Sequence, residues 1–213
     1  IVVPAQEAAG IAAILADAEH TARERSLAQR LREIAAARVF LLLQRGDVAA
    51  AGRLAREHPM PLSRARVALA EGEPEAALGI LASYREEIGS KGWRDELLKT
   101  TILEALARGA SRERDEALHP LRAALGMAAP NGHVRTFVDE GAPMASLLSE
   151  AAAQGIMPEY VAALRAAFGA GGAPATEGPS PAPAVSLVEA LSRRELDVLR
   201  LVAEGLSNEE SGQ

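Results

Sequence analysis

Leu42-Leu-Gln-Arg-Gly46-Asp-Val-Ala-Ala-Ala51 returns, altered but recognisable, as Leu69-Ala-Glu-Gly72-Glu-Pro-Glu-Ala-Ala77. In both stretches an apolar helical run ends at a glycine, an acidic residue follows, and an alanine stands five positions after the glycine. Glycine supplies the left-handed residue that closes a helix, and a small residue in the next helix allows two backbones to approach. A third copy is expected at Leu106-Ala-Arg-Gly109, where Asp115-Glu-Ala117-Leu118 follows after a few inserted residues. The three glycines stand 26 and 37 residues apart. Repeats built on this plan stack paired helices, and each pair buries its apolar face on its neighbours.

Composition around these repeats points the same way. The first 168 residues are rich in Ala, Leu, Arg and Glu and contain no convincing alternating apolar pattern, which predicts an all-α domain. From Gly169 the chain changes character: Gly-Ala-Gly-Gly-Ala-Pro-Ala-Thr-Glu-Gly-Pro-Ser-Pro-Ala-Pro-Ala-Val185 is small, proline-broken and nearly uncharged. Such a stretch has too little apolar surface to form a core and is expected to act as a flexible linker over 169–186.

After the linker, Leu191-Ser-Arg-Arg-Glu-Leu-Asp-Val-Leu-Arg-Leu-Val-Ala-Glu-Gly-Leu-Ser-Asn-Glu-Glu210 carries two capping boxes in succession. Ser192 with Glu195 opens a helix whose apolar positions are Leu196, Leu199 and Val202; Gly205 ends it, and Ser207 with Glu210 opens another. Two helices joined by so short a turn predict the start of a helix-turn-helix over 187–213.

On these residues the segment resembles the opening of the LuxR-type DNA-binding domain of bacterial transcription regulators. A second stretch, Asn131-Gly-His-Val-Arg-Thr-Phe-Val-Asp-Glu-Gly-Ala-Pro-Met144 with Leu147-Leu148 and Gly155-Ile-Met-Pro-Glu-Tyr160, is similar to the close of the helical-repeat region in the large maltose-activator-like LuxR subfamily. The resemblance implies tetratricopeptide-like antiparallel helical repeats in a right-handed superhelix over 1–168, acting as an effector-sensing or protein-interaction region. A protein-interaction scaffold without a small-molecule ligand is the alternative. The resemblance further implies an ATP-binding module upstream of Ile1, promoter DNA as a partner of the intact regulator only, self-association, and a cytoplasmic setting. At Ser211-Gly212-Gln213 the chain departs from the family pattern. The expected recognition helix is missing, so this fragment is expected to have lost DNA reading, which requires side chains that reach base edges.

Bulk chemistry narrows the remaining classes. A net charge of -6 and a pI near 5.4 have the wrong sign for a phosphate-binding surface. Without cysteine there are no disulfides and no thiolate metal sites. No phosphate-loop motif is present, so no cofactor is expected in this fragment. His20, His58, His119 and His133 are scattered without ligand spacing, and His133 is expected in a turn. Asp139 and Glu140 are adjacent and do not converge as an acid-base pair, so a capping or turn role before Gly141 and Pro143 is expected. Ser83, Ser146 and Ser149 lack a nucleophile elbow. No catalytic or metal residue is assigned, and the chain is not expected to be an enzyme.

For ligand binding, the scarce aromatics stand out: Trp93, Tyr84, Phe137 and Tyr160 are candidates for stacking on a planar ligand. Trp93, in a Ser-Lys-Gly loop, is either an exposed binding residue or a plug between repeats. Tyr84 is expected mainly to fill space between neighbouring repeats. The arginines from Arg23 to Arg66 either line a concave surface or form a solvated face.

Overall fold

A computed structural model of the chain describes residues 14–22, 28–111 and 116–170; the linker and the helix-turn-helix segment, with Ser192, Glu195, Gly205, Ser207 and Glu210, lie outside the described residues. The described residues are helical throughout, with no strand among them, in the tetratricopeptide-like manner the repeats predict. The order is α1 (14–22), α2 (Ala28–Gln44), α3 (Val48–Glu57), α4 (Pro61–Ala70), α5 (Pro74–Gly89), α6 (Arg94–Ala110), α7 (Leu118–Ala128), α8 (Arg135–Val138), α9 (Ala142–Ala153) and α10 (Pro158–Ala170), with a 3₁₀ turn at Ala129–Asn131.

Antiparallel hairpins pair α2 with α3, α4 with α5, α6 with α7 and α9 with α10. The repeated glycines close the first two. After α2, Gly46 has φ +78°, its N–H donates to Leu43 O at 3.0 Å, and the Asp47 N–H donates to Leu42 O at 2.9 Å. After α4, Gly72 also has φ +78°, and the same two bonds run from Gly72 to Leu69 O and from Glu73 to Ala68 O. These satisfy carbonyls that a helix end leaves orphaned. The Asp47 side chain then accepts from Ala50 N–H at 3.0 Å and caps α3, whereas α5 starts on Pro74, which needs no donor there. Ala51 and Ala77, five residues after the glycines, are fully buried. The α9–α10 hairpin uses the same pair of bonds at Gly155 and Ile156.

Gly109 departs from the expected plan. It lies inside α6 rather than in a turn, and a Cβ there would meet Leu147 Cδ2 at 3.2 Å. Its small size lets α6 approach α9; the left-handed conformation of the other two is not used. The α6–α7 connection is correspondingly longer. At the far end α10 continues through Ala170, two residues past the expected boundary.

Across hairpins, α2 packs on α4, α4 on α6 and α6 on α9, closer than α3 to α5 or α5 to α7. The first helices of the pairs therefore form the inner wall of the stack. Two apolar cores result. A small one joins Ala35, Val39, Ala51, Ala55, Met60 and Val67. A large one runs from Ala65 to Leu164 and includes Leu81, Ile102, Leu103, Leu121, Leu125, Phe137 and Leu148. The helix α4 contributes to both, with Val67 in the first and Ala65 and Ala68 in the second.

Candidate functional site

The inner-wall helices end at one edge of the stack and leave an open groove there. Phe40, Leu43 and Gln44 come from the last turns of α2, Arg66, Leu69 and Ala70 from α4, Leu106 and Ala110 from α6, and Asp139, Glu140 and Pro143 from the approach to α9. Spacings of three and four residues put each set on one helix face. The cavity measures about 380 Å³ and most of its wall is apolar.

A single ion pair crosses this apolar surface. Arg66 donates from Nε to Glu140 Oε1 at 3.2 Å and from Nη2 to the same oxygen at 2.5 Å. The Glu140 side chain is only 8% exposed and that of Arg66 22%, so the pair is shielded and geometrically fixed. On the other side the guanidinium lies 5.9 Å from the centre of the Phe40 ring. One arginine therefore links α2, α4 and the turn before α9. Asp139, at the rim, has its carboxyl held above its ordinary value, chiefly by desolvation against the groove; Arg135 and Arg66 oppose this and Glu140 adds to it.

Residues 139 and 140 do form a turn, as expected, and Asp139 ends α8, but the Glu140 carboxylate is not a cap. It is committed to an arginine 74 residues away. Of the described arginines from Arg30 to Arg66, Arg66 is the one lining this concave surface, while Arg23 and Arg25 lie outside the described residues.

The four aromatic candidates do not converge. Phe137 is completely buried in the large core and meets Tyr160 edge to face, with ring centroids 6.3 Å apart at 88°. Its ring has protein on all sides, so it holds the fold and is not open to a ligand. Tyr160 donates its hydroxyl to His133 O at 2.6 Å and secures the turn after Gly132. Tyr84 spans α5 and α6 and donates to Glu96 Oε2 at 2.8 Å; burial, and then that carboxylate, push its hydroxyl well above its ordinary acidity range. Trp93 is exposed at 48%, between α5 and α6, with Lys91 Nζ 4.5 Å from its ring centre, and is not part of the groove. Ser83 and Ser149 donate back to carbonyls of their own helices.

The aromatic residue that does line the groove, Phe40, was not singled out by the sequence. Its signal is slight: it precedes Leu43 by one helical turn at the end of the first helix of a repeat. A second cavity, about 470 Å³, is lined by Glu104, Arg108, Glu116, His119 and Pro120 at the α6–α7 connection. Its charges already pair, Arg108 with Glu116 at 2.6 Å, and it has little apolar surface to hold a ligand. Among the described residues no cluster of His, Asp and Glu is arranged to hold a metal, and no helix is long and apolar enough to cross a membrane.

Comparison with known proteins agrees with the fold. No curated protein and no solved structure matches the chain. The sequence profile described as the MalT-like TPR region matches residues 4–154, a span that takes in every described helix through α9. With most of its length matched and its helices paired as such repeats require, the chain belongs to the MalT-like TPR family.

Proposed function

We propose that this chain is the partner-sensing region of a LuxR-type transcription regulator of the maltose-activator-like kind, in which the concave groove receives an amphipathic protein segment. One observation carries this reading: the inner-wall helices end in an open, mainly apolar groove with a fixed ion pair at its centre. An enclosed polar pocket containing an aromatic would suit a small metabolite, whereas an open apolar groove suits a helix or an extended segment of a protein. The role is binding and signalling in the cytoplasm, not catalysis. DNA reading belongs to the helix-turn-helix that the Leu191–Glu210 segment begins, and control belongs to the repeats.

The mechanism follows from the stacking. Arg66 ties one end of the inner wall to the turn before α9, so a partner wedged beside it favours one curvature over another. Ligand energy then shifts a population of curvatures, and this is the signal passed to the rest of the regulator.

Selection of displayed random peptides on the full chain tests the reading. Expected are peptides with leucine-like residues at helical spacing, whose binding falls at least tenfold in L43D while circular dichroism keeps the wild-type helix content. In parallel, thermal-shift screening over sugars and other metabolites should give no rise in Tm. A clear rise for one metabolite, with no peptide binding, would replace the docking groove by a small-molecule sensor.

A further inference from the structure

We propose that the groove recognises an uncharged carboxamide: a partner helix presents a glutamine or asparagine side chain one turn from its leucine-like anchors, held between Arg66 Nη1 and the Asp139 carboxylate. This rests on the groove being a protein-docking surface, and it states the chemistry that selects the partner.

Two polar groups at the groove are left without protein partners. Arg66 spends Nε and Nη2 on Glu140, while its Nη1 donates to nothing. Among the described residues no side-chain nitrogen or oxygen is both buried and unpaired, so Nη1 is open at the groove that Arg66 lines. Asp139 lines the same groove and is exposed, and its carboxylate accepts no hydrogen bond. Arg66 lies near enough to Asp139 to act on its ionisation, so an open donor and an open acceptor stand side by side.

Charge and size decide what can fill both. Arg66 and Arg135 balance Asp139 and Glu140, and the rest of the lining is uncharged, so the groove is electrically neutral. A charged side chain would be desolvated against Phe40, Leu43, Leu69 and Leu106 with no net opposite charge to meet it. An apolar one would cover Nη1 and the Asp139 carboxylate and leave both without partners, which is costly. A carboxamide carries one acceptor oxygen and a donor NH₂ on separate atoms, so it answers Arg66 and Asp139 together without adding charge. The main-chain amides of a helix are already bonded within the helix, so a side chain has to supply this group. Space agrees: a single arginine side chain reaches from Phe40 to Glu140, and about 380 Å³ takes a few side chains of one helix face.

The test uses the full chain and the helical peptides selected on it by display, synthesised as a series. Glutamine or asparagine should recur at one position a turn away from the leucine-like residues. Replacing it by methionine, of similar shape but without the hydrogen bonds, should weaken binding about tenfold. Replacement by glutamate or lysine should weaken binding at least as much, and the affinity of the parent peptide should change less than about twofold between roughly 0.05 and 0.5 M salt. In D139A the methionine replacement should cost less than about threefold, whereas D139N, which keeps an acceptor oxygen without the charge, should preserve most of the tenfold preference. Circular dichroism of both variants should match the wild type. Selected peptides with a charged residue at that position and steeply salt-dependent binding overturn the proposal, as does a methionine replacement that costs nothing or costs the same in D139A. Loss of the preference in D139N also overturns it and assigns a cationic partner. If peptides depend on Leu43 but show no carboxamide, the docking groove stands and only its selectivity falls; if no Leu43-dependent peptide is selected, both fall.

Discussion

The two apolar cores differ in what fills them. In the small core between α2, α3 and α4, three of the six buried residues are alanines, and the largest side chain is Met60. The large core, from α4 to α10, adds leucines and isoleucines from five helices around the fully buried Phe137. Alanine lets helices approach but removes little apolar area from water, and burial contributes roughly 25 cal/mol per Å². In a stacked-repeat protein each unit is stabilised by its neighbours, so the region with less buried area opens at lower free energy. The α2–α3 hairpin is thus the more adjustable wall of the groove, and the α6–α10 block is its fixed frame. Arg66 stands on the helix common to both.

The largest test of this comparison places one truncation in each core. F137A is expected to lower stability by about 3–5 kcal/mol and to expose amides from α6 to α10 together, since it leaves a cavity and removes the edge-to-face partner of Tyr160. V39A should cost less, about 1–3 kcal/mol. Its loss of hydrogen-exchange protection should be confined to α2 and α3. If V39A opens amides in α7 and α9 as readily as those in α2, the two cores are one cooperative unit and the contrast fails.

A smaller effect separates the two uses of glycine. G72A places a side chain at φ +78° and should destabilise by about 1–2 kcal/mol. G109A sets a methyl 3.2 Å from the end of a flexible leucine side chain, but it also gains helix propensity, so a net change below about 1 kcal/mol is expected. Urea unfolding followed by circular dichroism measures both. Equal losses would mean that Gly109 too is held by its backbone conformation.

The smallest effect concerns alkaline pH and the contact by which α5 joins α6 at the border of the fixed frame. The folded state raises the pKa of Tyr84 from its ordinary 10.0, so at high pH the unfolded chain releases this proton first. The associated stability is fully present below pH 10 and is lost as pH rises above it. In Y84F this part of the alkaline loss should vanish. Thermal unfolding between pH 9 and 11 provides the measurement, and parallel pH profiles for the two proteins would show that Tyr84 carries none of it.

Much of the fold is legible in the primary structure because its devices are local. Gly46 and Gly72 each close a helix through bonds reaching only a few residues, Asp47 caps the next helix from three positions away, and Pro61, Pro74, Pro143 and Pro158 each stand in the first turn of a helix. Gly109 misled because a turn glycine and a close-approach glycine look alike until the facing residue, Leu147, is known. Phe137, offered as a ligand-stacking candidate, misled for a related reason. Scarcity marks an aromatic residue as important, but packing decides whether it faces a ligand, as Phe137 and Phe40 illustrate from opposite sides.

By itself the sequence determined the helical class, the hairpin turns, the small residues at the seams and the repeat family, all of which rest on propensities and caps acting within one or two helical turns. The groove was decided only by tertiary structure. Phe40, Arg66, Leu106 and Glu140 share it because four helices separated along the chain end at one edge of the stack, and no local rule relates an arginine to a carboxylate 74 residues away.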